Sequence, residues 1–509
     1  MATQPPDPVP PSWLPPPPPD PWTVQPPRRA QGRGWATVLV VGVVGLMAFA
    51  ACGTILVASR DDDSDRRSAR VDPPTSWDPA VEPIAEFVAE ARDLEWQHPV
   101  PVRFLDEDAF VAEVTSEEGD LTDEDRASIA EAQAFLEALS LLPSGTDLFE
   151  AVNEAGAASI LAFYSWETAE IVMRGRDMTP SLRTTLAHEL THALQDQHFD
   201  LGKVREEADE LGNGAAFTTV VEGDAMRIEA EYLDELLPSE RDEYFAAQGP
   251  GTGDAVQPPS LEGVPEIVQV LLGFPYAIGP GFVATVDEIH GEDGIDELFR
   301  PDVTEADVLV PIRYLNNLPN ADVDDPSTPD GAEDVGEVEP FGAIGWFLML
   351  SARLDPATAL EATDGWDGDA IVAYEVGGRP CVAAALVPET DLAYERIHSA
   401  LEAWVQAGPP DGAEVVTRAD DLVLRACAAS GATGPSASLL DATALAAGRT
   451  ALFSEFLAEG APRAVAWCVT NELLFDSAIT DLFARQEISA SEEALLGDRA
   501  VAAGIACAA

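Results

Sequence analysis

The run His188-Glu189-Leu190-Thr191-His192 sets two imidazoles four residues apart with a carboxylate beside the first. On a helix turning about 100° per residue, His188 and His192 lie about 40° apart, so both rings can reach one tetrahedral zinc ion. Glu189 is rotated by about 100° from His188, which suits accepting a proton from a zinc-held water better than ligating the metal. Zinc lowers the pKa of such a water towards about 7 and polarises a carbonyl, and the two effects together are the chemistry of amide hydrolysis.

A catalytic zinc takes a third protein ligand and keeps one position open. Glu222, in Val220-Val221-Glu222-Gly223-Asp224-Ala225, supplies a carboxylate from the next helix and is the preferred candidate. His198 is the alternative, because it has the spacing of the HExxHxxGxxH zinc proteases. Gln195, however, stands where that motif needs a glycine to turn the helix, and in a helix that continues His198 points about 80° to the other side of His188. Asp224, about 200° around the helix from Glu222, is a candidate to hydrogen-bond a ligating histidine, or else a solvated acid. Tyr232 and Tyr276 are candidates to stabilise an oxyanion, or else core tyrosines with satisfied hydroxyls. His290 and His398 are isolated on helical segments and read as packing or surface residues.

The run HELTHALQDQHFDL followed by VEGDA resembles a family of bacterial and archaeal zinc metallopeptidases of the gluzincin type, known largely by their motif. Phe163-Tyr164, Phe274-Pro275-Tyr276 with Gly279 and Phe282-Val283, Gly336-Glu337 and Gly365-Trp366-Asp367-Gly368-Asp369 extend the resemblance over roughly residues 84 to 410. Asp367 departs from it, standing where a glycine is expected. The resemblance implies a zincin-like domain in which His188, His192 and Glu222 bind zinc and Glu189 is the catalytic base.

These residues need elements to hold them. Thr179-Pro180 starts a helix, with the threonine as cap and the proline at the first helical position, and the pattern runs to about Gln197. A connection over Leu201 to Asn213 leads to a second helix, Ala215 to Leu237, which carries Glu222. Upstream, Ile84 to Leu94, Asp123 to Ser140 and Asp147 to Ala155 read as helices, and Val100 to Leu105, Ile160 to Tyr164 and Ala169 to Arg174 as strands. The Ile160 to Arg174 hairpin either packs inside or offers an edge to an extended peptide. Downstream, helical stretches near Pro265 to Leu272, Gly281 to His290 and Phe341 to Leu354 flank the acidic loop Asn320 to Glu339. Strands at Ala370 to Tyr374, Pro380 to Leu386 and Asp421 to Ala426 combine with helices at Asp391 to Gln406, Leu439 to Glu459 and Asp476 to Ala490. The fold class is α+β, with a zincin-like domain at 81–355 and a smaller α+β domain at 356–509.

Residues 1–34 form a proline-rich tail, 35–57 an uncharged run of transmembrane length, and 58–80 a charged, proline-containing linker. Cys52, preceded by Phe49-Ala50-Ala51, approximates a lipidation site, but the apolar run continues beyond it. Arginines flank the span on both sides, so the positive-inside rule does not orient it. The other four cysteines do: Cys381, Cys427, Cys468 and Cys507 make an even set without metal-binding spacing, which fits two disulfides in an oxidising compartment and puts the bulk of the chain outside. Proximity in sequence favours Cys381 with Cys427 and Cys468 with Cys507. A net charge of −63, from 28 basic and 91 acidic residues, excludes sequence-independent binding to nucleic acid and leaves a basic partner open. The expected protein is a single-pass membrane-anchored zinc metallopeptidase acting on peptides or proteins. The alternative is an inactive zincin-like ectodomain that binds a cell-envelope or protein partner.

Overall fold

The computed structural model describes residues 70–248 and 261–508, apart from 327, 330, 335–337, 411, 419–420, 430, 477 and 480–488. The proline-rich tail, the apolar run at 35–57, Cys52, the linker up to residue 69 and Gly336-Glu337 lie outside the described residues. The fold is mixed α+β, predominantly helical with two small sheets.

The first part of the chain runs α1 (Glu82–Arg92), β1 (Val102–Leu105), α2 (Glu107–Val114), α3 (Asp123–Ala138), α4 (Leu148–Ser159), β2 (Ala162–Ser165) and β3 (Glu170–Arg174). The strands lie in the order β1–β3–β2, with β1 parallel and β2 antiparallel to β3, so β2 is an edge. Next comes α5 (Pro180–Phe199), whose cap is the one expected: the Thr179 hydroxyl accepts from the N–H of Leu182 at 3.2 Å, with Pro180 at the first turn. Leu186, Leu190 and Leu194 on α5 share a core with Ile84 and Val88 of α1 and Ile171 and Met173 of β3.

The expected connection after α5 is instead a helix, α6 (Leu201–Glu210). Asp200 takes a left-handed φ of 55°, which aspartate tolerates, and the Asp196 carboxylate accepts the N–H of Leu201 at 2.9 Å, so the chain turns and restarts within one residue. The helices α7 (Gly214–Glu235) and α8 (Pro238–Gln248) follow. The two stretches expected near 265–272 and 281–290 belong to one helix, α9 (Glu266–Asp296), which passes through Pro275 and Pro280 and departs from helical geometry only at Gly291. An internal proline costs about 3 kcal/mol, and burial on several sides offsets it, with Val270, Phe274, Phe282 and Val283 all in the core. Among the described residues α9 alone has the length and hydropathy to cross a bilayer, but it sits mid-chain with 67% of its most apolar window buried.

The remainder comprises α10 (Glu305–Leu309), α11 (Pro311–Asn316), β4 (Glu333–Asp334), α12 (Gly342–Ser351), α13 (Pro356–Thr363), β5 (Trp366–Val376), β6 (Arg379–Pro388), α14 (Asp391–Ala407), β7 (Ala413–Arg418), β8 (Asp421–Cys427), α15 (Leu439–Ala458), α16 (Arg463–Leu474) and α17 (Ala490–Cys507). The sheet order is β4–β5–β6–β8–β7, antiparallel throughout, and Gly377 and Gly378 supply the two positive φ angles of the β5–β6 turn. Disulfides join Cys381 to Cys427 across β6 and β8, and Cys468 to Cys507 between α16 and α17, the pairing that sequence proximity favours. The largest core is continuous across residues 355/356, because α9 and α12 pack with α15, and α12 also meets β5.

The motif Gly365-Trp366-Asp367-Gly368-Asp369 has a structural meaning here. Asp369 accepts hydrogen bonds from the N–H groups of Phe341 and Gly342 and from the indoles of Trp346 and Trp366, while Glu305 accepts from Ile344 N–H at 2.8 Å. Two carboxylates thus sit at the positive end of α12. Burial pushes Glu305 up to about 8 and Asp369 up to about 6, beyond what their donors counteract. An acid whose pKa is raised on folding keeps a proton that the unfolded chain has lost, so its stabilising contribution is complete below about pH 4.5 and disappears as pH rises through about 8. Melting curves between about pH 5 and 9 should therefore show stability falling with pH, and Glu305→Gln should flatten that fall and be the more stable protein at pH 9. Parallel curves for parent and variant would show that Glu305 ionises normally.

Candidate metal centre

The centre forms where α5, α7 and α9 meet. Gly223 on α7 and Gly279 on α9 bring the two backbones into direct contact: a Cβ added at Gly279 would lie 2.4 Å from the Thr219 carbonyl oxygen and 2.7 Å from the Gly223 Cα. This close approach fixes α7 at the residue next to Glu222. On the other side of α7, α5 presents His188 and His192.

The three candidate ligand atoms converge. His188 Nε2 lies 3.0 Å from His192 Nε2, and Glu222 Oε2 lies 3.1 Å from the first and 3.2 Å from the second. Ligands held at 2.0–2.1 Å by a tetrahedral ion are roughly 3.3 Å apart, so the triangle already has close to the dimensions that such an ion needs. Together the three residues form a buried group able to hold a metal ion.

Neighbours fix which ring nitrogen faces the triangle. His188 Nδ1 lies 3.1 Å from Glu229 Oε2, and His192 Nδ1 lies 3.1 Å from Gln195 Oε1. Each partner oxygen accepts an N–H, which leaves the Nε2 atoms, facing Glu222, as the ones able to ligate. Burial opposes charge on His188, but Glu222 and Glu229 outweigh it and lift the imidazole to about 10; burial likewise works against Glu222, and the imidazoles hold it at about 2. Without metal, His188 thus carries a proton that an incoming cation displaces.

Glu189 is 0% exposed, and neither carboxylate oxygen makes a hydrogen bond of ordinary geometry to a described residue; the Tyr164 backbone N–H exerts only a weak pull. Burial raises its pKa above the usual carboxyl value against the attraction of both imidazoles. A buried carboxylate without a partner is costly, and a polar group beside the triangle would satisfy it. The donor set, its spacing and this orphaned acid all fit a cation with one further ligand.

Other sequence candidates are placed around this group. Tyr276, on α9, stacks on His188 with ring centres 6.0 Å apart. Asp224 touches neither histidine; it binds Gln195 at 2.9 Å and the guanidinium groups of Arg92 and Arg227. Tyr232 packs edge-on against Phe87, in the core that α5 shares with α1. His198 turns away from the triangle, with Nε2 2.9 Å from the Glu95 carbonyl oxygen, because α5 continues through Gln195 without a break.

Two contributors escaped the sequence reading. Glu229 stands two helical turns beyond Glu222 on the same face of α7, a spacing that could have singled it out. Gln195 entered only as a departure from another motif, although one turn after His192 is where a side chain can reach back to that ring.

The edge strand adjoins the centre. Ile171 gives its N–H to Pro101, away from β2, so the paired residue Tyr164 turns its own N–H outward on the free side, towards Glu189. No known protein family, curated protein or solved structure matches the chain, so the reading of this centre rests on its own residues.

Proposed function

We propose that the protein is a zinc metallopeptidase, anchored by residues 35–57 and hydrolysing peptide bonds outside the cytoplasmic membrane. The observation that carries this reading is the His188–His192–Glu222 triangle with Glu189 buried beside it. Two imidazoles and one carboxylate suit zinc, and the likeness of the HELTH and VEGDA runs to gluzincins supports the same choice. When bound, zinc supplies a Lewis acid that polarises the scissile carbonyl and acidifies the attacking water. His188, His192 and Glu222 hold the ion, and Glu229 and Gln195 keep the rings turned towards it. Glu189 takes the proton from water and returns it to the leaving amine nitrogen. β2 is a free edge of the first sheet, which suits an extended peptide adding to it, and Tyr276, stacked on His188, is a candidate to stabilise a developing oxyanion. The zincin-like fold belongs to this proposal, as does the extracytoplasmic location, which the two disulfides support.

One observation favours a second reading, an ectodomain that binds a partner without chemistry: the centre is closed, with His192 the most exposed of the ligands at 5%. The full chain, purified in detergent, should carry close to one zinc per chain, lose it in His188→Ala, and cleave an unfolded protein substrate in a chelator-sensitive way. Stoichiometric metal without cleavage supports the binding reading. Failure to take up zinc sinks both the metal site and the peptidase.

A further inference from the structure

Arg92 is 1% exposed and comes from α1, far in sequence from any ligand, yet it is aimed at the centre. Its Nε–H donates to Asp224 Oδ2 at 2.8 Å, and its two terminal nitrogens donate to Glu292 at 2.9 Å and Asp296 at 2.7 Å. Those two acids follow the break at Gly291 in α9. Asp224 Oδ2 also accepts from Gln195 Nε2 at 2.9 Å, and the second hydrogen of that amide goes to the Val221 carbonyl at 3.2 Å. Both donors of the Gln195 amide are therefore committed, and only its oxygen remains to face His192 Nδ1.

We propose that Arg92 is a positioning residue for the metal centre, acting through Asp224 and Gln195 to fix the orientation and tautomer of His192. This inference rests on the reading of His188, His192 and Glu222 as metal ligands. If the Gln195 amide were free to rotate, it could turn its NH2 towards His192, and the ring would then present a lone pair at Nδ1 and a proton at Nε2. That tautomer cannot ligate through Nε2. Arg92 opposes the rotation by holding Asp224 Oδ2, the oxygen that Gln195 uses, with a charge-assisted bond, while Arg227 holds Oδ1, inside a region where Gln195 and Asp224 are both fully buried. His188 is oriented separately, by Glu229, so the relay acts on one ligand of the three.

The test uses the full chain in detergent, stripped of metal and titrated with zinc against a chromophoric chelator, and separately with cobalt(II) to read its visible ligand-field bands. Loss of a group that orients a ligating histidine typically weakens metal binding by about 10- to 100-fold. Arg92→Met is expected to weaken zinc binding within that range and alter the cobalt bands, whereas Arg92→Lys, which retains a cation for Asp224, should recover at least part of the affinity. If Arg92→Met does not fold, Gln195→Met removes only a neutral side chain and carries the same expectation. Zinc affinity and cobalt bands unchanged in whichever Met variant folds would overturn the relay while leaving the metal site standing. A parent protein that binds neither metal would instead overturn the site, and the relay with it.

Discussion

Glu189→Gln should keep its full complement of zinc and lose peptide-bond hydrolysis by about 10²- to 10⁴-fold, the usual contribution of a positioned general base. The amide has nearly the shape of the carboxylate, so the packing around a fully buried side chain is conserved, and Glu189 is not one of the three atoms that define the metal triangle. What disappears is the capacity to take a proton from water. Steady-state kcat/KM on a fluorogenic peptide, measured beside metal content on the same preparation, separates loss of chemistry from loss of metal. Equal rates for parent and variant would remove Glu189 from the mechanism.

A second large effect is expected where α7 crosses α9. Gly279→Ala should destabilise the protein by about 3 kcal/mol, the upper end of ordinary overpacking costs. The clash is with the backbone of α7, the Thr219 carbonyl and the Gly223 Cα and nitrogen, and not with a side chain that can swing away. Glu222 is the neighbour of Gly223, so relief by shifting α7 also moves a ligand, and a displacement of about 1 Å can cost about 10²-fold in rate. Denaturant unfolding of the metal-free chain reads the first effect and zinc titration the second. A variant with parental stability and affinity would mean that the helices do not approach this closely.

The parts of this architecture legible in the sequence depend on short-range chemistry. The HExxH spacing and the Thr179-Pro180 start are local, and each stands where the pattern placed it. Glu222 was legible because a carboxylate from the next helix is one of the two usual ways to complete such a site, and Gln195 in place of glycine weighed against the other, His198. The rest is tertiary. Prolines 275 and 280 read as breaks, but burial along α9 outweighs their local cost. The restart at Asp200 depends on a side-chain bond from Asp196 that no periodicity reports. β7, reading Ala-Glu-Val-Val-Thr-Arg, gains its strand character from pairing with β8, and α16 and α17 lay where no helix pattern was assigned. Glu229 and Arg92 illustrate the same limit at the centre. Among 91 acids Glu229 is marked only by its spacing from Glu222, and an arginine paired with three carboxylates is recognisable only once three chain segments have met.

Enclosure of the ligands also governs traffic. An ion seated among side chains with almost no contact with solvent can leave only as often as the surrounding helices breathe, so its residence time reflects a conformational opening more than bond strength. Stripping by a chelator would then level off as the reagent is increased, with a ceiling set by the opening frequency. If the proposed peptidase reading holds, a peptide would meet the same gate, and the pace of turnover would follow the motion of the protein rather than the bond being cut.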